Sequence, residues 1–230
     1  MDNQVLWNDL HKEARHRTKY PAEDVIRFTA KNFRCDGSEK ILDLGCGAGR
    51  HVIYLADAKV VPYGADFSQE GVTYTRTVLR EHGYEQFVDN VVVAMTYDLP
   101  FADETFDGVV CWGVLYYLDD EHIRKSVDEL YRVLKKGGKA EVLIRTTEDY
   151  RCVDARAKHA KEVEERTYLL IDEESQKSAS KENGMLMHFF TREEVEALFS
   201  RFAQVTVDLV SHTHENGKYQ DQDFLVLLQK

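Results

Sequence analysis

Three glycines at alternate positions, Gly45, Gly47 and Gly49, close the stretch ILDLGCGAGRH between an apolar run and the helical pattern HVIYLA. A turn without side chains between strand and helix lets a backbone approach a nucleotide closely, and the spacing decides which nucleotide. In the dinucleotide fingerprint a third small residue follows the second glycine by three places, whereas here the sixth place counted from Gly45 is Arg50. A bulky cation there opposes the close helix–strand packing that the fingerprint serves. No G-K-[ST] follows, so the Walker type of phosphate cradle does not match either. Asp66 stands about 20 residues beyond the first glycine, where a carboxylate can accept hydrogen bonds from both hydroxyls of a ribose.

From Lys40 onward short apolar runs alternate with segments of helical periodicity, the pattern of an α/β sheet with right-handed crossovers. The expected strands are KILDL, YGAD, NVVVA, FDGVVCW and KAEVLIR. Pro62 would cost an internal strand a ladder hydrogen bond, so the second strand is expected to begin at or after it. Ser68 is the expected N-cap of the next helix and Gly83 its end. A later helix carries Ile123, Val127, Leu130 and Leu134 on one side and is expected to stop at Gly137 and Gly138. Residues 146–188 read as a helical insertion, and DEESQKSASKENG within it as a solvated connection. Thr191 and Glu194 form a capping-box pattern before another helix. At the C-terminus QVTVDLVSHT and DFLVLLQK, joined by a short turn, must pair antiparallel.

The motifs ILDLGCGAGRH, YGADFS, DLPFADETFDGVVCWGVLYYL and ELYRVLKKGGKAEVLI, in that order, resemble the successive motifs of class I S-adenosylmethionine-dependent methyltransferases of the small-molecule type, strongly over Lys40–Arg145. The resemblance implies a Rossmann-like, seven-stranded, mostly parallel sheet with an antiparallel last strand and helices on both faces. It implies a single domain over 1–230, with an N-terminal helical cover at about 1–36. The implied cofactor is S-adenosyl-L-methionine, which leaves S-adenosyl-L-homocysteine as product. The glycines of such a turn serve close approach to ribose and methionine, because this cofactor has no phosphate.

By resemblance Asp43 positions the methionine amino end, Gly45, Cys46 and Gly47 line the cofactor, Asp66 holds the ribose, and Phe67 meets the adenine face. Relatives place an acid five positions before the proline of LPF; here that residue is Met95, a thioether that packs against adenine but cannot replace a carboxylate acceptor. Adenine is then read through backbone groups around Met95 and Thr96, through the Thr96 hydroxyl, or through Asp98. Trp112 ends its strand beside the methionine part. Tyr116 and Tyr117 either line the reaction cavity or pack in the core.

Methyl transfer needs an acceptor lone pair in line with the methyl–sulfur bond, and a general base only where the acceptor arrives protonated and weakly nucleophilic. His188, in MHFF after the insertion, is the candidate base, with a packing role as its alternative. Arg145 and Arg151 are candidate partners of an anionic acceptor, with salt bridging as theirs. Trp7 and Tyr20 belong to the expected cover. The alternative to an enzyme is a non-catalytic module that binds S-adenosylmethionine.

A formal net charge of -11 opposes a nucleic-acid backbone or an anionic membrane as principal partner. No run of the chain has the roughly 18 apolar residues of a membrane span, and the N-terminus lacks a signal-peptide core, so a cytoplasmic location is the expectation. Cys35, Cys46, Cys111 and Cys152 lack metal-ligand spacing and read as free thiols, with no metal site implied. The acceptor is a small molecule whose reacting atom, oxygen, sulfur, nitrogen or carbon, stays open, as does the oligomeric state.

Overall fold

Buried Ile41, Leu42 and Leu44 flank an equally buried Asp43 in strand β1, Lys40–Leu44, the centre of the molecule. The computed structural model describes residues 3–14, 17–158, 160–170 and 182–230. On one side β1 pairs in parallel with β2 (Val61–Asp66), which pairs with β3 (Val91–Val93). On the other it pairs with β4 (Phe106–Trp112), followed by parallel β5 (Leu134–Arg145). The hairpin of β9 (Gln204–His214) and β10 (Tyr219–Gln229) completes the sheet, β10 lying antiparallel against β5. The order is β3-β2-β1-β4-β5-β10-β9. Strand order reverses between β1 and β4, which opens a crevice at their C-terminal ends.

Helices α3 (Arg50–Asp57), α4 (Gln69–Glu81) and α5 (Asp120–Val133) are the crossovers. Ser68 caps α4 by accepting from the Gly71 N–H at 3.1 Å, and Gly83, at φ 78°, ends it. Helix α5 buries Ile123, Ser126, Val127, Leu130 and Val133, a single stripe of 3.6-residue period. Before the sheet come α1 (Asn3–Lys12) and α2 (Glu23–Asn32), the helices of the expected cover.

Three expectations change. Pro62 lies inside β2, opposite Ile41. It is tolerated because pairing with β3 begins only at Gly64, opposite Val91, so among the described residues no strand waits on that side for the missing N–H; the Pro62 carbonyl there accepts from Asn90 Nδ2 at 3.0 Å. Helix α5 ends at Val133, and Leu134, Gly137 and Gly138 all belong to β5. The stretch expected as a helical insertion holds α6 (Tyr150–Ala157) and then a separate antiparallel sheet of β6 (Lys161–Glu164), β7 (Thr167–Leu169) and β8 (Leu186–His188). Most of the expected solvated connection falls outside the described residues. Helix α7 (Arg192–Leu198) follows, with Thr191 Oγ accepting from the Glu194 N–H at 3.2 Å. Only half of the capping box forms, because the Glu194 carboxylate binds His188 and Arg166.

Candidate active site

At the carboxyl end of the sheet lies a cavity of about 1210 Å³. Its floor is the glycine turn, which the chain's own contacts hold open. The N–H groups of Gly45 and Cys46 donate to the Ala65 carbonyl at 2.7 and 3.1 Å, and Thr75 Oγ1 donates to the Gly47 carbonyl at 2.9 Å. All three glycines have φ in the left-handed region, 78°, 51° and 82°. The reasons for glycine differ, however. A Cβ on Gly45 would meet Val114 at 2.2 Å, and one on Gly49 would meet Thr75 at 2.6 Å, so these two serve internal packing. At Gly47 the neighbour is the His11 ring of α1, at 3.3 Å. The cavity is lined by Gly45, Cys46, Gly47 and Ala48. Burial pushes the Cys46 thiol well above its ordinary pKa, which keeps it an uncharged packing group rather than a nucleophile.

Beneath this turn is an unusual carboxylate. Asp43 is 1 % exposed; Oδ1 lies 3.5 Å from His51 Nδ1, and Oδ2 has no hydrogen-bond partner among the described residues. The Ala22 N–H, at the start of α2, donates to His51 Nε2 at 3.3 Å, which leaves the ring proton on Nδ1, facing Asp43. Arg50, at the first turn of α3, lines the cavity, feels the Asp43 charge and makes no hydrogen bond or ion pair among the described residues. A buried carboxylate oxygen without a donor and a guanidinium without an acceptor complement the two ends of an amino-acid zwitterion. Asp43 itself stands just behind the cavity wall; Arg50 and His51 are part of it.

Asp66 ends β2 with both oxygens turned to the backbone, Oδ2 accepting from Gly47 N–H and Oδ1 from Ser68 N–H, each at 2.8 Å. Burial raises its pKa to about 6, against these two hydrogen bonds, which lower it. Each oxygen keeps a lone pair for a further donor. His11 Nδ1 shares a hydrogen bond with Ser68 Oγ at 2.9 Å, so α1 is tied to this strand end.

Phe67, Met95 and Thr96 line the cavity beside Asp66. Ser126 Oγ donates to the His122 carbonyl at 2.7 Å, so at its 2.6 Å contact with Thr96 it must accept the Thr96 proton. The Thr96 oxygen therefore keeps lone pairs for an incoming N–H, the function an acid at the Met95 position would serve. Asp98 is exposed and outside the cavity lining, so the structure removes it as a substitute.

Trp112, Gly113 and Val114 form the wall at the end of β4. Tyr116 and Tyr117 both line the cavity, and the Tyr117 hydroxyl donates to Glu182 Oε1 at 3.0 Å. Trp7 of α1 closes over Tyr117 with ring centroids 5.1 Å apart, while Asn3 Nδ2 donates to the Tyr117 and Leu186 carbonyls at 2.7 and 3.1 Å. Tyr20 is 75 % exposed and outside the lining.

Two expectations fail on geometry. His188 is buried with both ring nitrogens occupied, Nδ1 by Thr167 Oγ1 at 2.7 Å and Nε2 by Glu194 Oε1 at 2.9 Å, and it does not line the cavity; its place is structural. Arg145 and Arg151 do reach the cavity, but as ion-paired groups: Arg145 lies 3.3 Å from Asp223, 3.5 Å from Asp149 and 3.6 Å from Glu182. Arg151 pairs with Glu182, with Asp221 at 2.8 Å and with Asp149 at 3.3 Å. Sequence reading missed His51, Arg50 in its positive sense, and His11. Arg50 and His51 had a signal, polar residues directly after the glycine turn, where a helix start faces the ligand; His11 had none.

Residues 41–138 match the family model described as a methyltransferase domain. That segment therefore carries a methyltransferase domain, in line with the resemblance of its motifs to the class I S-adenosylmethionine-dependent methyltransferases. It is 31% identical, over 51% of this chain and 50% of the relative, to the ubiquinone/menaquinone biosynthesis C-methyltransferase UbiE of Geotalea daltonii. It is 26% identical to the tRNA N(3)-methylcytidine methyltransferase Mettl2 of Drosophila melanogaster, over 70% of this chain and 47% of that one. The chain thus spans about half the length of these curated relatives. Among solved structures, a SAM-dependent methyltransferase of Methanosarcina mazei superposes with a TM-score of 0.71 at 23% identity, over 92% of this chain and 98% of its own, which establishes the shared fold. The cofactor of this methyltransferase class is S-adenosyl-L-methionine, and the chemistry of the residues at and just behind the cavity floor fits it: the Asp43 oxygen suits an ammonium, the Arg50 guanidinium a carboxylate, the Asp66 carboxylate ribose hydroxyls and the Thr96 oxygen an amino group.

Proposed function

We propose that this protein transfers a methyl group from S-adenosylmethionine to a small-molecule acceptor. The observation that carries the reading is the pairing of unused charges under the glycine turn, the partnerless oxygen of Asp43 and the unpaired guanidinium of Arg50. Asp66 stands one strand away. Support for a small acceptor comes from the acidic chain and from α1, whose Asn3, Trp7 and His11 close over the cavity. A nucleic-acid backbone would meet like charge there.

When bound, the cofactor supplies an electrophilic methyl group on a sulfonium. The residues of this chain then have three tasks. Asp43, oriented by His51, and Arg50 hold the amino-acid end, so that the methyl position is set relative to Trp112 and Gly113. Asp66 and Thr96 hold the nucleoside. Trp7, Trp112, Tyr116 and Tyr117 exclude water and align the acceptor, and alignment alone supplies a large part of such a rate enhancement. Calorimetric titration with S-adenosylhomocysteine, S-adenosylmethionine and NAD tests the first half; binding of NAD with neither adenosyl compound bound would reject it. Labelled methyl transfer to pooled metabolites tests the second half, and tight cofactor binding without transfer to any pool would assign a binding module instead.

A further inference from the structure

We propose that the acceptor is an amine, cationic in solution, received at the β10 side of the cavity by Glu182, Asp221 and Asp223, with the Tyr116 hydroxyl meeting the reacting nitrogen. This rests on the methyl-transfer reading above and narrows it.

The first observation is charge. At this end the cavity is lined by Arg145, Arg151, Glu182, Asp221 and Asp223, and Asp149 is buried directly behind them. Even with Glu182 left out of the count, three carboxylates, Asp149, Asp221 and Asp223, face two guanidiniums, a surplus of one negative charge among the described residues. Neither guanidinium is available to an anion. Each is held by three carboxylates and lies over an aromatic ring, Arg145 4.6 Å above Tyr116 and Arg151 4.4 Å above Tyr150. A carboxylate or phosphate acceptor would have to displace these partners and then sit among them, whereas an ammonium adds to the network the charge it lacks. His212 and His214 also line this end, and His214 Nε2 lies 3.6 Å from Asp221.

The second observation is independent of charge. Tyr116 is 5 % exposed, lines the cavity, and its hydroxyl makes no hydrogen bond among the described residues. Its oxygen stands beside Gly113, where a Cβ would approach it to 2.9 Å. Gly113 follows the end of β4, next to the expected methionine end of the cofactor, so this unpartnered hydroxyl sits between the carboxylate wall and the transfer point. Burial raises its pKa to about 12, so it remains a neutral phenol that can accept an N–H.

The chemistry balances without an added reactant. The ammonium gives one proton to a carboxylate of the wall, and Asp223, whose pKa burial raises despite Arg145, is the readiest to take it. The freed nitrogen lone pair forms a bond to the methyl carbon as the carbon–sulfur bond breaks and leaves its electron pair on sulfur. The product is the methylated ammonium, and the proton on the wall returns to water when product leaves.

The test uses the full chain saturated with S-adenosylhomocysteine, titrated with phenethylamine, 3-phenylpropan-1-ol and 3-phenylpropanoate, and in parallel the methyl-labelled donor with separate pools of amines, hydroxyl compounds, thiols and carboxylic acids. The amine should bind about tenfold or more tightly than the alcohol, the acid weakest, and label should enter the amine pool. D221N and D223N should each weaken amine binding by about tenfold while alcohol and S-adenosylhomocysteine binding stay unchanged. Asp221, at the more open position, answers for the wall if D223N does not fold. Y116F should slow transfer to the amine with cofactor affinity unchanged. Label confined to the other pools, preference for the acid, or an amine pool neither bound nor labelled would overturn the amine assignment while leaving methyl transfer standing. Failure to bind S-adenosylhomocysteine at all would overturn both.

Discussion

In the proposed function Asp66 and Arg50 divide the cofactor between them, one charge at each end. A carboxylate that receives ribose hydroxyls must be ionised to accept from both, yet burial holds Asp66 near a pKa of about 6 in the free protein. Cofactor affinity should therefore rise with pH from about 5 and level off above about 6.5, a profile that calorimetry at several pH values would reveal. In D66N the profile should flatten and the affinity at pH 7 fall by about 1.5 to 3 kcal/mol, the worth of charge-assisted hydrogen bonds. Arg50 reads the other end. R50M should weaken S-adenosylhomocysteine by a similar amount, about tenfold or more, but leave methylthioadenosine, which lacks the amino-acid end, unaffected. Equal losses for both ligands would place Arg50 on the nucleoside instead.

The elements differ in what they contribute. Helix α1 touches the site from outside the sheet through Asn3, whose side chain clamps both Tyr117 and Leu186; the Leu186 N–H donates back to Asn3 Oδ1 at 3.0 Å. Removing that clamp in N3A should accelerate release of S-adenosylhomocysteine in stopped-flow displacement and raise amide exchange along α1, with the sheet unaffected. Helix α7 is a contrasting case, anchored by the Thr191 cap and contributing no residue to the cavity lining. T191A should lower stability by about 1 kcal/mol in denaturant titration without altering cofactor affinity.

At the scale of the molecule, the sheet carries a buried liability. Glu141, in the middle of β5 and 2 % exposed, has no partner for Oε1 among the described residues, and burial, aided by Asp24, raises its pKa to about 8. A carboxyl whose folded pKa lies above its unfolded one binds more protons in the native state, so stability is fullest below about 4.5 and declines as pH rises to about 8. Thermal midpoints should fall between pH 5 and 8.5, and E141Q should remove most of that decline.

Much of this architecture follows from the order of residues alone. Alternation of apolar runs with helical periods located β1 and β4 to the residue, because strands buried on both faces must be apolar and crossovers must be amphipathic. The glycine turn and Asp66 were legible because both constraints are local: a backbone at positive φ, and an acid at a strand end. His188 shows the opposite case, since one partner, Thr167, comes from a small sheet that no local pattern announces, and the other, Glu194, from a helix whose capping box was legible while the reach of its carboxylate to His188 was not. The small sheet itself was hidden, its strands being three or four residues long and β6 exposed throughout. The arginines were recognisable as charges, but only the tertiary arrangement decided that Asp149, Glu182, Asp221 and Asp223 surround them and reverse the sign of that wall. Sequence determines what each segment can become; the balance of charges brought together across 70 or more positions is set by how the chain closes.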